Sequence, residues 1–188
     1  MINVIYVFGP SCSGKSTLGK ALQKSLGNRW TYLDRDELIE QGICTEHRAN
    51  AVLDQKISLL KSRVIIDAQI PWRERRSGER YFLVLPPLKV LLERDEYRTI
   101  RLHRPKERAM AAKKYVIETH EILSKMDKKD FDEFFDSSQF SVLEEIRRIE
   151  SYIFTSEATS HYYKILCLGI GGMLLALVCV LFRQKNNQ

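Results

Sequence analysis

The chain has 188 residues, 44% hydrophobic and 29% charged; that is room for one packed domain and an accessory segment, too little for two domains, and too apolar for a disordered chain. Its net charge of +6 is uneven, since Arg73 to Lys114 holds thirteen Lys and Arg against six Asp and Glu, leaving the remainder close to neutral. The four cysteines, at 12, 44, 167 and 179, form no CxxC pair, which argues against a disulfide framework or a structural zinc and for a reducing compartment.

The first segment, Asn3 to Phe8, is apolar and β-branched with no charged leader before it, and reads as a strand rather than a secretory signal. A glycine-rich loop follows, then a helical pattern from Lys15 to Leu26 with apolar positions Leu18, Ala21, Leu22 and Leu26. Trp30 to Leu33 is a second strand, and Asp36 to Leu60 is one or two helices. Arg63 to Asp67 is a Val-Ile-Ile strand ending in an acid, and Tyr81 to Leu85 is a strand closed by Pro86-Pro87. Leu88 to Arg104 and Glu107 to Ser124 read as basic helices, Phe131 to Phe135 as a short strand and Val142 to Phe154 as a closing helix. This alternation predicts an α/β fold, a parallel sheet covered by helices on both faces.

Beyond the predicted domain at 1–154 lies a small, polar linker, 155–164. Ile165 to Phe182 is then eighteen residues without a charge, about 27 Å as a helix and just enough to span the hydrocarbon of a bilayer. Tyr162, Tyr163 and Lys164 flank one edge, and Arg183 and Lys185 the other, within a short basic tail at 183–188. A buried C-terminal helix would keep a polar face, and this segment has none. The expectation is a transmembrane tail anchor touching membrane lipid, with the domain on the cytoplasmic side.

Gly9-Pro10-Ser11-Cys12-Ser13-Gly14-Lys15-Ser16-Thr17 satisfies GxxxxGK[ST], and it sits where that motif has meaning, after a strand and opening a helix. The glycines let backbone N–H groups close around phosphate oxygens at a helix N-terminus. Lys15 is then expected to reach the β- and γ-phosphates of ATP, and the Ser16 hydroxyl to ligate Mg²⁺. The fold expected is therefore that of P-loop NTPases. A GTPase would carry DxxG after its third strand and an NKxD base-reading motif; Asp67 is followed by Ala-Gln-Ile, and Ser124-Lys-Met-Asp127 follows helical sequence.

Two carboxylates, Asp34 and Asp36, follow the second strand at the sheet edge where α/β proteins bind ligands. Either can take the proton of an attacking hydroxyl in phosphoryl transfer, or cap the helix starting nearby. Asp36 is the preferred base and Asp34 its competitor. Asp67 can hold the Mg²⁺ hydration shell or serve as a structural carboxylate. Arg94, Arg98, Arg101, Arg104 and Arg108 recur at helical spacings and suggest a cationic lid over the phosphates. Aromatics are not interleaved with these charges, so nucleic acid is the least supported partner.

The run Gly-Pro-Ser-Cys-Ser-Gly-Lys-Ser-Thr-Leu-Gly-Lys-Ala-Leu-Gln, Trp30, and Asp36 with Glu-Leu-Ile-Glu resemble the chloramphenicol phosphotransferase-like branch of small P-loop kinases. Arg101, Arg104, Arg108-Ala-Met-Ala-Ala-Lys and Phe134-Phe-Asp136-Ser-Ser are similar too. The resemblance spans residues 2 to 150, and adenylylsulfate and zeta-type toxin kinases share the layout. It implies Asp36 as base toward a small-molecule hydroxyl, Arg101, Arg104 and Arg108 as lid residues, and the Asp-Ser-Ser segment near the nucleotide. Asp34-Arg35 and the hydrophobic tail depart from the family pattern. A membrane-tethered ATP-binding switch is the alternative.

Overall fold

Strands form where β-branched and aromatic residues run together, and β1 (Val4–Phe8) is buried at all five positions, as a strand covered on both faces must be. The computed structural model describes residues 3–60 and 62–155. After β1 come α1 (Lys15–Leu26), β2 (Trp30–Asp34), α2 (Arg35–Glu40), α3 (Glu46–Leu59), β3 (Arg63–Ala68) and β4 (Glu79–Val84). Then follow α4 (Leu88–Arg101), α5 (Lys106–Lys125), a 3₁₀ turn at Lys128–Asp130 and β5 (Glu133–Phe135). Residues 142–155 are helical (α6). The compact unit described below runs Ile2–Ile149.

The sheet is five-stranded in the order β2-β3-β1-β4-β5, and every pairing is parallel. β1 is central and the chain winds outward on either side of it, so the loop after β1 stands at the switch point where such sheets bind ligands. Register sorts the side chains. Val4, Tyr6, Phe8, Val64, Ile66, Tyr81 and Leu83 share one face, in a core completed by Leu38 of α2, Leu53 of α3 and Leu123 of α5. Tyr32, Asp34 and Asp67 point to the other face, which α1 covers, since a Cβ on Gly19 of that helix would lie 2.5 Å from the Tyr32 ring.

The structure resolves one open reading and corrects one expectation. The stretch Asp36 to Leu60 divides into two helices at a turn containing Gly42, whose φ of 70° lies in the left-handed region. The basic helix expected to reach Arg104 ends at Arg101, because Pro105 disfavours the helical conformation just before it, and His103 turns the chain with φ 48°. The crossover from β3 to β4 contains no helix. Residues 69–78 cross beneath β1 as irregular chain, and Trp72 packs against the aromatic core there.

The expected membrane segment 165–182, the linker from 156 onward and the tail 183–188 lie outside the described residues. Among the described residues no helix is long and apolar enough to cross a membrane.

Candidate active site

The loop between β1 and α1 is shaped by backbone geometry that few side chains tolerate. A Cβ on Gly9 would meet the Val84 carbonyl oxygen at 2.5 Å, and Gly14 has φ 101°. Cys12 also takes a positive φ, 66°, with its Sγ 3.8 Å from Asp95 Oδ1; the sequence marked it only as a variable position. No side chain caps α1 and no acid occupies its first turn, so its free N–H groups and positive end face outward. The Ser13 hydroxyl is buried with no partner among the described residues. These are the properties of an anion cradle.

Lys15 is 6% exposed and its Nζ lies 3.4 Å from Asp67 Oδ1. Asp67, from the end of β3, is buried. Burial pushes its carboxyl above the ordinary range, opposed by the Lys15 charge and by hydrogen bonds from Ser16 and Tyr32. Lys15, Ser16 and Asp67 thus come together as the sequence suggested. Beside them the Tyr32 hydroxyl lies 3.0 Å from Asp67 Oδ2 and 3.1 Å from Asp34 Oδ2. One hydroxyl proton serves two carboxylates, and burial between them drives the Tyr32 pKa far up.

The two candidate bases separate by their hydrogen bonds. Asp34 Oδ1 accepts from the backbone N–H of Asp36 at 2.9 Å and of Glu37 at 3.4 Å, so Asp34 is the N-cap of α2. Among the described residues Asp36 makes only long contacts, to Arg35 Nη1 at 3.5 Å and to Gln69 Nε2 at 3.3 and 3.4 Å, and its side chain is 46% exposed. Gln69 in turn accepts from the Tyr115 hydroxyl of α5, and its carbonyl accepts from Gly9 N–H at 3.2 Å. One residue therefore ties the phosphate loop, Asp36 and α5 together. Sequence reasoning passed over Gln69 and Tyr115; Gln69, two residues beyond Asp67 at the ligand-binding edge, was the signal available.

The arginines are divided. Arg94 donates from Nη1 to the carbonyls of Cys12 and Ser13 and to Ser137 Oγ, and from Nη2 to the Ser137 carbonyl. It locks the phosphate loop to the loop after β5. Arg98 and Arg101 line the cleft above the loop. Arg104 instead folds back onto buried Asp95, Nη1 to Oδ1 at 3.0 Å, and Arg108 is exposed on α5 and does not line the cleft.

The cleft has a volume of about 730 Å³. Lys15, Ser16 and Thr17 line it together with Asp34 and Asp36 from the β2 side and Ser137, Phe140 and Glu145 from the β5 side. Because β2 and β5 are the two edge strands and β1 is central, these groups flank the phosphate loop from opposite directions. Glu145 is 2% exposed, its Oε1 has no partner among the described residues, and burial pushes its carboxyl up to about 7.

No protein-family model matches this chain, and no curated protein matches it. Among solved structures it is similar to shikimate kinase from Acinetobacter baumannii in complex with shikimate, with a TM-score of 0.58 at 16% identity over 83% of this chain and 95% of that one. It is also similar to shikimate kinase from Bacteroides thetaiotaomicron, with a TM-score of 0.55, 16% identity, and 80% and 97% coverage. A gluconokinase from Sinorhizobium meliloti 1021 aligns with a TM-score of 0.54, 17% identity, and 82% and 97% coverage. At these identities the likeness is one of architecture: the chain has the fold of small P-loop kinases.

Proposed function

We propose that this chain is an ATP- and Mg²⁺-dependent phosphotransferase that moves the γ-phosphoryl group to a hydroxyl of a small molecule, and that residues 165–182 tether it to a membrane with residues 1–154 on the cytoplasmic side. The observation that carries the reading is the pairing of an anion cradle with an uncommitted carboxylate, Asp36, lining the same cleft. The narrower kinship with chloramphenicol phosphotransferase-like kinases rests on the loop sequence and Asp36. The tether rests on the uncharged run and its flanking Tyr, Lys and Arg residues.

The chain's own groups divide the work. The N–H groups opening α1 and the Lys15 ammonium hold the phosphate oxygens, and Lys15 exchanges its Asp67 partner for them. Among the described residues no set of three or more His, Cys, Asp or Glu can hold a metal. Ser16 and Asp67 are the donors offered, which suits an ion that takes one or two protein oxygens and fills its shell with phosphate and water. Mg²⁺, when bound, supplies charge neutralisation at the phosphates.

The acceptor oxygen forms the new bond to the γ-phosphorus, the bond to the β–γ bridging oxygen breaks and leaves ADP, and Asp36 takes the hydroxyl proton. Asp34 is poorly placed for that task, with one oxygen on the helix cap and the other on Tyr32. Arg98 and Arg101 supply the cationic wall. Asp36→Asn tests the assignment: transfer from ATP to a panel of hydroxyl compounds should fall about 10²–10⁴-fold while calorimetric ATP affinity holds. An unchanged rate would refute the assignment. If water alone accepts the phosphate, the chain is a slow ATP-binding switch instead.

A further inference from the structure

Phosphates over the central loop leave two directions for the rest of a nucleotide, and Asp36 occupies the β2 side. The β5 side offers the phenyl ring of Phe140, one face of which carries the Arg148 guanidinium at 4.4 Å, then Val142, then Glu145. Ser137 on this side is engaged with Arg94 and the Ser13 carbonyl, so the rest is an apolar wall ending in a polar group, the composition that a purine needs for its faces and its edge. Among the described residues Glu145 Oε1 is buried without a partner, while both terminal nitrogens of nearby Arg94 are engaged with Ser137 and the phosphate loop. A hydrogen-bonding ligand edge is what this acceptor lacks.

We propose that the Glu145 carboxyl reads the nucleobase, pairing with the polar edge of the purine whose phosphates the loop holds. The proposal rests on the kinase reading for the phosphates and adds the specificity determinant. A neutral carboxyl presents one donor and one acceptor, matching adenine N1 and the N6 amino group or, turned over, guanine O6 and N1–H; an ionised carboxylate presents two acceptors, matching guanine N1–H and the N2 amino group but leaving adenine N1 without a donor. Burial holds the neutral form up to about pH 7, with the Arg94 charge working against it and Asp136 with it. Arg98 and Lys15 also line the cleft. Adenine is therefore read only by the neutral carboxyl, and the balance moves toward guanine as the carboxyl ionises.

The test is calorimetric titration of the full chain in mild detergent with ATP, GTP and inorganic tripolyphosphate at pH 6 and pH 8, for the wild type, Glu145→Gln and Glu145→Ala. Phosphate titration is common to both nucleotides, so the ratio of their affinities reports the base. In the wild type the ATP-to-GTP affinity ratio should fall by about tenfold or more between pH 6 and pH 8. Glu145→Gln, whose amide keeps one donor and one acceptor at both pH values, should hold the same ratio at each, and Glu145→Ala should likewise lose the pH dependence. A wild-type ratio that is the same at both pH values, or a pH shift that survives in Glu145→Ala, overturns the proposal while leaving the kinase reading intact. Absence of tripolyphosphate and nucleotide uptake sinks the kinase reading, and this inference with it.

Discussion

Two polar clusters, one on each face of the sheet, differ in how well their donors and acceptors match. On the α3 face, Glu79 is 5% exposed and accepts from Arg73 Nη2 at 2.6 Å, Arg73 Nη1 at 2.9 Å, Arg76 N–H at 2.9 Å and the Tyr81 hydroxyl at 3.4 Å. Arg73 also donates to Asp54 at 3.0 Å and to the Tyr6 hydroxyl at 2.6 Å, and Trp72 completes Asp54 at 3.2 Å. On the α1 face, Asp34 and Asp67 share one tyrosine proton, Lys15 sits in a long ion pair, and the Ser13 hydroxyl has no partner among the described residues. The first cluster is complete as it stands and replaces the missing helix of the β3–β4 crossover. The second lacks partners that an anionic ligand with its cation would supply.

Breaking the complete cluster should therefore cost stability, and the cost should be the largest of any single change here. Arg73→Met leaves buried Glu79 and half-buried Asp54 without their cation and is expected to lower unfolding stability by about 3–5 kcal/mol, with nucleotide affinity of the folded fraction unchanged. The loss has a pH signature. Burial alone would raise the Glu79 pKa, but the hydrogen bonds from Arg73 and Arg76 outweigh it and hold the carboxyl below its ordinary range. A depressed carboxylate stabilises above its ordinary pKa and loses that contribution as pH falls through the folded value. Denaturant melts of wild type and variant should accordingly converge as pH drops below about 4.5; a gap that stays constant would count against the assignment.

A cut in the incomplete cluster should cost less. Tyr32→Phe removes the shared proton, yet Asp34 keeps its two backbone N–H donors and Asp67 keeps Lys15 and Ser16. The expected loss is about 1 kcal/mol, read by urea melts. A loss as large as that of Arg73→Met would erase the distinction between the clusters.

The same contrast explains what could be read in the chain beforehand. The phosphate loop, α1 and the Val-Ile-Ile strand are specified by contiguous residues, so motif and periodicity found them. Arg94, Arg98 and Arg101 do share α4, but extending that face to Arg104 and Arg108 ignored Pro105, which stops the helix. The helix-free crossover escaped because its anchor is spatial: Arg73 reaches Tyr6 across 67 positions of sequence. Tyr115 on Gln69, 46 positions apart, escaped for the same reason. Whether Asp34 or Asp36 caps α2 was open in sequence, since both lie close to its expected start, and the Asp34 side chain, which accepts from the N–H groups of Asp36 and Glu37, decides it.

The smallest effect tests the contrast within one turn of α6. Ser141 N–H donates to Glu144 Oε2 at 2.8 Å and Glu144 N–H to Ser141 Oγ at 3.4 Å, a reciprocal capping box in which each residue satisfies the other. Glu145, the next residue, has an oxygen without a partner among the described residues. Ser141→Ala removes a matched pair at the exposed helix start, so the melting temperature should fall by about 2–4 °C with the ATP-to-GTP affinity ratio unchanged at pH 6 and pH 8. Glu145→Gln should do the opposite, altering the pH dependence of that ratio. If Ser141→Ala shifted base preference as Glu145→Gln does, the preference would follow the positioning of α6 as a whole, and the unpartnered carboxyl would lose its separate role.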